Sequence, residues 1–273
     1  MNLEGSAAVI TGGASGIGRA CALAMARRGS DVIIADINEQ RMDDTVSEIQ
    51  ALGRRSAGLR CDVSRDGELE LLAERAIAEM GRIDVLMNNA GVVLGGPVEQ
   101  IAMADWEWIV NINLLGPVRG VRAFLPHMLE RGSGYIVNTA SFAGLVAHNP
   151  LTIPYDTTKH GVVGFSAGLA LYCRPRGIGV SVLCPGYVET NLSENYRFRG
   201  LDDSSTVPGR MPDVTVQPEA VAERVVEAVE AERFLILSQP EHALIWARRA
   251  QDIDAHIQRQ IEVLTAARPA PAG

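Results

Sequence analysis

Seven short apolar runs alternate with longer helical patterns along this chain of 273 residues, and the alternation limits the folds open to it. The runs are residues 7–10, 31–36, 56–59, 83–87, 135–138, 178–183 and 234–237. Parallel strands need a helical crossover between them, and the helices then cover both faces of the sheet. The sequence therefore predicts an α/β fold with a doubly wound, seven-stranded parallel sheet flanked by helices on both faces.

A glycine-rich turn, Thr-Gly-Gly-Ala-Ser-Gly-Ile-Gly at residues 11–18, joins the first strand to a helix at 19–28. Gly12 suits a tight turn, Gly16 lets the backbone approach a pyrophosphate, and Gly18 lets the helix pack closely on the sheet. The free N–H groups at the start of the helix then bind the anion. This context predicts a dinucleotide site, and the alternative is a glycine-rich turn without a ligand.

Asp36 ends the second strand, 18 residues after Gly18. A carboxylate at this position accepts hydrogen bonds from ribose hydroxyls and repels a 2′-phosphate. Ile37 follows, and no Arg or Lys stands beside it in sequence to hold that phosphate. We expect NAD rather than NADP, and the alternative role of Asp36 is to cap the helix at 38–52.

Tyr155 and Lys159 are four residues apart, so both project from one face of a helix, about 6 Å apart along its axis. Lys159 is the only lysine, the other 24 of the 25 basic residues being arginines. An ammonium beside a phenol lowers the pKa of the phenol and suits it to acid–base work. Ser141 lies at the exit of the preceding strand. The alternative for Lys159 is an ordinary solvated cation.

Asn113 lies among apolar residues inside a predicted helix at 104–131. It is either a satisfied buried amide or a kink or water site that feeds a proton relay. Asn89 follows the fourth strand, at the edge where open α/β sheets bind ligands.

The composition of the chain limits its possible binding partners and its cellular compartment. A net charge of −8 argues against nucleic acid or an anionic membrane. The four cysteines are dispersed without a Cys-x-x-Cys, which predicts reduced core thiols in a cytoplasmic protein. No signal peptide is expected, and the longest apolar run, 161–173, is too short to span a bilayer. No metal site is predicted.

Together these motifs resemble the short-chain dehydrogenase/reductase family, over roughly residues 5–237. The motifs are Thr-Gly-x-x-x-Gly-x-Gly at 11–18, Asp62-Val63, Asn-Asn-Ala-Gly at 88–91, Asn113, Ser141, Tyr155-x-x-x-Lys159 and Pro185-Gly186 with Thr190. The resemblance implies a Rossmann-like domain at residues 1–240 with a substrate loop at 187–216. It also implies a homodimer or homotetramer.

The resemblance further implies roles for individual residues. Tyr155 is the acid/base, Ser141 binds the substrate oxygen, Lys159 holds the nicotinamide ribose and lowers the Tyr155 pKa, and Asn113 holds a relay water. The implied cofactor contacts are Gly12, Ser15, Gly16, Ile17, Gly18, Asp36, Asp62, Val63, Asn89, Tyr155, Lys159, Pro185, Gly186, Val188 and Thr190. The expected substrate wall is Leu94, Phe142, Leu145 and Tyr187, which favours an apolar alicyclic or aromatic substrate.

Two departures from the family pattern matter. Asp156 follows the catalytic tyrosine, and we expect it to point about 100° away with a minor effect. A helical extension at 241–268, before a frayed tail at 269–273, carries an apolar stripe. The stripe consists of Trp246, Ala250, Ile253, Ile257, Ile261 and Leu264. It packs on the chain's own body or a sister subunit, or it shapes the substrate mouth.

The sequence thus predicts an NAD-dependent oxidoreductase that moves a hydride between a secondary alcohol or ketone and nicotinamide. The alternatives are an NADP-dependent ketoreductase of the same fold, a cofactor-sensing protein without turnover, and a sugar-nucleotide epimerase or dehydratase. A cofactor sensor without turnover is disfavoured because all four catalytic residues are present, namely Ser141, Tyr155, Lys159 and Asn113. An epimerase or dehydratase is disfavoured because no second, substrate-binding domain is recognised in the sequence.

Overall fold

The computed structural model describes residues 1–200 and 215–266. Its strands are β1 Ala7–Thr11, β2 Asp31–Asp36, β3 Ser56–Arg60, β4 Val85–Asn88, β5 Val93–Gly95, β6 Gly134–Thr139, β7 Ile178–Cys184, β8 Tyr196–Phe198 and β9 Leu235–Leu237. Its α-helices are α1 Gly16–Arg27, α2 Glu39–Ala51, α3 Glu68–Met80, α4 Met103–Asn113, α5 Leu115–Arg131, α6 Ile153–Cys173, α7 Pro218–Glu230, α8 His242–Gln251 and α9 Ile253–Ala266.

The predicted sheet is confirmed: the described residues form a seven-stranded sheet in the order β3-β2-β1-β4-β6-β7-β9. Every pairing in it is parallel. One apolar cluster packs α1 and α7 on one face of the sheet, and a second packs α3, α5 and α6 on the other. The strands consist of nearly continuous apolar runs because helices cover both faces of the sheet.

The order of the strands reverses between β1 and β4, where neighbouring crossovers leave in opposite directions. Ligands of open α/β sheets bind outside the carboxyl ends of the strands at such a point. Thr11, Asn88 and Thr139 end β1, β4 and β6 at this edge. The topology thus brings the glycine turn, the Asn-Asn segment and the Ser141 segment together.

The predicted helix at 104–131 is broken at Leu114 into α4 and α5. Asn113, at the end of α4, donates from Nδ2 to the Val92 carbonyl at 2.8 Å and accepts from the Val92 N–H at 2.9 Å. These bonds tie the last turn of α4 to the strand edge. Gly116 then allows α5 to pack against Val63, where a Cβ would lie 3.2 Å from the valine side chain.

The C-terminal extension is helical as predicted but forms two helices. Asp252 separates α8 from α9, and its Oδ1 accepts from the Ala255 N–H at 2.8 Å, which starts the second helix. The apolar stripe is exposed within the single chain, since Trp246 is 38% exposed and Ile257 51% exposed, and its packing on a sister subunit stays a prediction. Part of the predicted substrate loop, 201–214, and the predicted tail lie outside the described residues.

A short two-stranded sheet was not predicted. Parallel pairing of β5 with β8 attaches the segment after Thr190 to the body of the protein. Arg199 makes two hydrogen bonds to the Asp105 carboxylate, at 2.8 and 2.7 Å, and the Arg197 guanidinium lies 3.6 Å from the Trp108 ring centroid. The beginning of the substrate loop is therefore anchored on α4.

Candidate active site

The glycine turn after β1 is compact because it has no side chains at its closest contacts. Gly12 has a φ of 63°, and a Cβ on Gly18 would lie 2.1 Å from the Gly12 carbonyl oxygen. The Asn89 amide donates to that same oxygen at 3.1 Å. The turn and the end of β4 are thus locked together, and no larger residue fits at Gly18.

The start of α1 is open to an anion. Ser15 occupies the N-cap position, yet its side chain makes no capping hydrogen bond to any described residue. The N–H groups of the first turn therefore keep their capacity to bind an anion. Gly16 has a φ of 52° and faces Thr190, which lies beside it in a cleft together with Arg19.

Asp36 is held rigidly at the end of β2. Its Oδ2 accepts from the Ala14 N–H at 3.1 Å, and its Oδ1 accepts from the Asn38 N–H at 3.0 Å. The alternative role of Asp36 as a helix cap is wrong, because Asn38 caps α2 by accepting from the Arg41 N–H at 3.1 Å. The fold brings Arg41 close to Asp36, and this guanidinium makes two hydrogen bonds to Glu194.

Asp62 and Val63 follow β3 at the same edge. Burial acts to raise the Asp62 pKa, but hydrogen bonds from Ser64 and Arg65 outweigh it and leave the pKa below its usual range. Val63 is buried and packs against α5 at Gly116. Their contact with a cofactor stays a prediction.

Ser141 is positioned by the sharp turn that follows β6. Its hydroxyl accepts from the Ala143 N–H at 3.1 Å and donates to the Pro185 carbonyl at 3.4 Å. These bonds join the turn after β6 to the loop after β7. Ser141 is the N-cap of a short 3-10 helix, which holds its oxygen near the start of α6.

Tyr155 and Lys159 lie on one face of α6, as the spacing predicted. The Lys159 Nζ is 5.7 Å from the Tyr155 ring centroid and donates to the Thr139 carbonyl at 3.0 Å. Lys159 is only 4% exposed, and burial lowers the pKa of its ammonium to about 8. The unique lysine is therefore a buried cation at the sheet edge, and the solvated alternative is wrong.

Burial also raises the pKa of the Tyr155 phenol above its ordinary value. The Ser141 hydroxyl opposes this rise, whereas the nearby Asp156 carboxylate adds to it. The expected lowering of this pKa by Lys159 is thus not the dominant effect in this structure, because removal of the phenol from water outweighs it.

Asn113 is a satisfied buried amide located at a helix break. Beyond its two bonds to Val92, its Nδ2 lies 3.3 Å from the Thr158 hydroxyl on α6. A Cβ on Gly91 would lie 3.4 Å from both the Asn113 Oδ1 and the Lys159 Nζ. Gly91 therefore leaves the Asn113 carboxamide and the ammonium facing one small space.

Asp156 is more deeply placed than its sequence position suggested. It is 7% exposed, and its Oδ1 accepts from the Thr152 hydroxyl at 3.0 Å. Burial raises the pKa of this carboxyl to about 7, and its charge acts on the phenols of Tyr155 and Tyr187. Asp156 affects the Tyr155 pKa less than burial and the Ser141 hydroxyl do, in line with the expected minor effect on that phenol. The burial of the carboxyl itself was not expected from the sequence.

The expected substrate wall is only partly a surface. Leu94 and Leu145 are almost fully buried. Leu94 packs in a cluster that includes Tyr155, and Leu145 packs in a different cluster that includes Phe142. Phe142 is buried as well, and Phe142 and Tyr187 each lie against one of the chain's five histidines. His242 stacks on Phe142 with ring centroids 3.9 Å apart, and His148 meets Tyr187 at 6.3 Å.

Sequence reasoning missed His148, His242 and a buried amide chain. Asn88 donates to Asn138 at 2.9 Å, and Asn138 donates to Ser166 on α6 at 3.0 Å. Polar residues at the ends of two apolar strand runs were the available signal. This chain of hydrogen bonds fixes α6 against the sheet, which sets the position of Tyr155 and Lys159.

Comparison with known proteins agrees with this geometry. A family model for the short chain dehydrogenases matches residues 6–199. The chain belongs to this family. It is therefore an oxidoreductase that acts on CH–OH groups of small molecules and has a Rossmann-like fold that binds NAD(P).

Three similar proteins show the range of the family. The 1-deoxy-11-beta-hydroxypentalenate dehydrogenase of Streptomyces exfoliatus is 33% identical over 94% of this chain and 91% of its own. A short-chain dehydrogenase/reductase from Burkholderia phymatum in complex with NAD is 33% identical, with a TM-score of 0.84 over 93% of this chain and 96% of its own. A variant of actinorhodin polyketide ketoreductase with NADPH is 32% identical, with a TM-score of 0.78 over 87% and 97%.

The residues at the sheet edge fit a dinucleotide. The uncapped start of α1 suits a pyrophosphate, and the fixed Asp36 carboxylate suits a ribose. Within residues 1–200 and 215–266, no three His, Cys, Asp or Glu side chains gather as metal ligands. In the same ranges, no helix is both long and apolar enough to cross a bilayer. All four cysteines are buried and free.

Proposed function

We propose that the protein is an NAD-dependent dehydrogenase of secondary alcohols, acting also on the corresponding ketones. One observation carries the proposal: a partly buried phenol, a buried ammonium and a held hydroxyl lie together at the edge that carries the dinucleotide cradle. The residues are Ser141, Tyr155 and Lys159. When bound, the nicotinamide accepts or supplies the hydride.

The chain's own residues would handle the proton and the orientation. The Tyr155 phenolate takes the hydroxyl proton of the alcohol, and the phenol returns it to a ketone. The Ser141 hydroxyl donates to the substrate oxygen as charge develops there. Lys159, with its Nζ held by the Thr139 carbonyl, provides the positive charge that favours the phenolate. Asn113 orders the space beside Lys159 through which a proton reaches solvent.

The substrate is proposed to be apolar, with an alicyclic or aromatic ring next to the carbinol carbon. Aromatic and imidazole rings lie next to one another beside Ser141, and Leu94 packs in one cluster with Tyr155. The rings are those of Phe142, Tyr187, His148 and His242. The name of the Streptomyces exfoliatus relative, a dehydrogenase of a hydroxypentalenate, supports an alcohol of this class.

The test is formation of reduced nicotinamide by the purified full chain. We expect absorbance at the reduced-nicotinamide band with NAD and 1-phenylethanol or cyclohexanol, and little with sorbitol. Turnover best with sorbitol would contradict the apolar substrate. If no alcohol gave reduced nicotinamide while calorimetry showed that NAD binds, the result would favour the cofactor-sensing alternative.

Replacing Asp36 by Ala is expected to reduce the preference for NAD over NADP about 10- to 100-fold, measured as the ratio of kcat/KM values. Loss of a hydrogen bond to a charged group costs about 1.5–3 kcal/mol, and loss of the carboxylate also removes its repulsion of a 2′-phosphate. Asp44→Ala is the matched control, because Asp44 is an exposed aspartate on α2. An unchanged ratio in the Asp36 variant would disprove this role.

An NADP-dependent ketoreductase is the second candidate, and Arg41 is the observation that favours it. The charge of Asp36 acts on its guanidinium, which is bound by Glu194, an exposed partner that a phosphate could replace. The similar ketoreductase with NADPH supports the same possibility. A higher kcat/KM with NADP than with NAD in the wild-type protein would favour the NADP-dependent ketoreductase over the NAD-dependent dehydrogenase.

A further inference from the structure

We propose that the C-terminal extension closes one side of the substrate pocket and that His242, the first residue of α8, is a specificity-determining residue. The inference deepens the proposed function and rests on it. The substrate class is a secondary alcohol or ketone with one planar ring next to the reacting carbon. Bulkier two-ring substrates are excluded by the imidazole.

The first step of the argument is the position of the imidazole. It stacks on Phe142 with ring centroids 3.9 Å apart and planes 19° apart. Phe142 directly follows Ser141, so its ring is one residue away from the hydroxyl that faces the reaction. His242 therefore lies beside the reacting end of the pocket and not on a remote surface.

The imidazole also meets the loop after β7 through its Cε1 atom. A Cβ at Gly186 would lie 2.3 Å from the His242 Cε1, so the ring occupies the space that only glycine leaves free. The imidazole is thus stacked on Phe142 on one face and packed against the Gly186 backbone at its Cε1 edge. Close packing at two neighbours favours one rotamer, so the side chain acts as a fixed wall.

Hydrogen bonds hold the segment before α8 in the same place. The Gly186 N–H donates to the Ser238 hydroxyl at 2.9 Å and to the Gln239 Oε1 at 3.2 Å. The Gln239 Nε2 donates to the Tyr187 carbonyl at 3.0 Å. Residues 238–242 are therefore tied to the loop that carries Tyr187, and the extension is part of the site rather than an appendage.

The surroundings of the imidazole are those of a pocket wall. Its Nδ1 is buried without a hydrogen-bond partner among the described residues, which a ring selected for surface solvation would not tolerate. His148 also lies near Phe142, with centroids 6.5 Å apart, and meets Tyr187 edge-on. Four rings from three separate segments therefore lie next to one another beside Ser141, and His242 contributes the one from the extension.

The test compares 1-phenylethanol with diphenylmethanol, which adds a second ring at the carbinol carbon. In His242→Ala, the ratio of kcat/KM for diphenylmethanol over 1-phenylethanol is expected to rise at least about tenfold, through KM, with the affinity for NAD unchanged. His242→Phe restores a flat ring and is expected to keep the ratio within about threefold of wild type. Ile245→Ala, on the exposed side of α8, is the matched control.

A second readout does not depend on turnover. Amide hydrogen exchange over residues 242–247 is measured with NADH alone and with NADH plus acetophenone. We expect slower exchange when the ketone is added to wild type, and loss of that protection in His242→Ala. Protection without any turnover would keep the inference and reject the proposed function. Turnover with an unchanged substrate ratio, or the absence of ketone-dependent protection, would overturn the inference itself.

Discussion

Tyr155→Phe is expected to lower kcat about 1,000-fold while the affinity for NAD stays within about twofold of wild type. A positioned general acid or base contributes about 10²- to 10⁴-fold, and a 1,000-fold loss equals about 4 kcal/mol of transition-state stabilisation. The ring of Tyr155 packs with Leu94 and near the Lys159 ammonium, and phenylalanine keeps these contacts. Only the proton-transferring oxygen is lost.

Tyr172→Phe is the matched control for this change. Tyr172 lies on the same helix, is 51% exposed and stacks under the Arg176 guanidinium, so its hydroxyl is remote from the site. We expect wild-type kcat from it. Stopped-flow measurement of NADH formation and calorimetry of NAD binding separate chemistry from affinity. Normal kcat in Tyr155→Phe would remove Tyr155 from the acid–base role.

The raised pKa of the Tyr155 phenol also predicts a direction for the pH dependence of the wild-type enzyme. Because burial raises the Tyr155 pKa, the neutral phenol dominates at neutral pH. Oxidation of an alcohol needs the phenolate, so its rate rises as the pH approaches that pKa. Reduction of a ketone needs the phenol and does not show this rise.

The sequence predicted the sheet because its signals are local. Buried strand runs and amphipathic helices are read from residues that are adjacent in the chain, and seven such alternations leave few topologies. The glycine turn and the Tyr155–Lys159 spacing are local for the same reason. Their proximity in space then followed from the rule that parallel strands end at one edge.

The missed features all depend on contacts between distant segments. His242 meets Phe142 only because the segment after β9 folds back over the loop after β7. Asp156 is buried because α6 is covered on more than one side. The break at Leu114 follows from bonds between Asn113 and Val92, 21 residues apart. The periodic pattern of apolar residues along a chain carries no information about contacts between segments that are far apart in sequence.

Asp156→Asn is expected to stabilise the folded protein in a pH-dependent way. The Asp156 carboxyl has a pKa of about 7 in the fold against 3.8 as its reference value, because burial disfavours the charge. Below pH 3.8 the carboxyl is protonated in both the folded and the unfolded state, and its burial does not lower the free energy of unfolding. Between these pKa values only the unfolded state releases the proton, so the cost grows with pH. Above pH 7 it levels off at about 4 kcal/mol.

Asparagine removes the charge and keeps the oxygen that accepts from Thr152. The free energy of unfolding of the variant is therefore expected to exceed that of wild type by about 1–2 kcal/mol at pH 5 and by about 4 kcal/mol at pH 8. Urea unfolding at several pH values measures the difference. Asp43→Asn, an exposed position on α2, should show a flat difference across the same range.

The same substitution should shift the catalytic pH profile. The Asp156 carboxylate raises the pKa of the Tyr155 phenol, so its removal lowers that pKa. Alcohol oxidation by Asp156→Asn should then begin its rise at a lower pH than in wild type. A stability difference that stays constant from pH 5 to pH 8, with an unshifted rate profile, would mean that Asp156 is not a buried titrating group beside Tyr155.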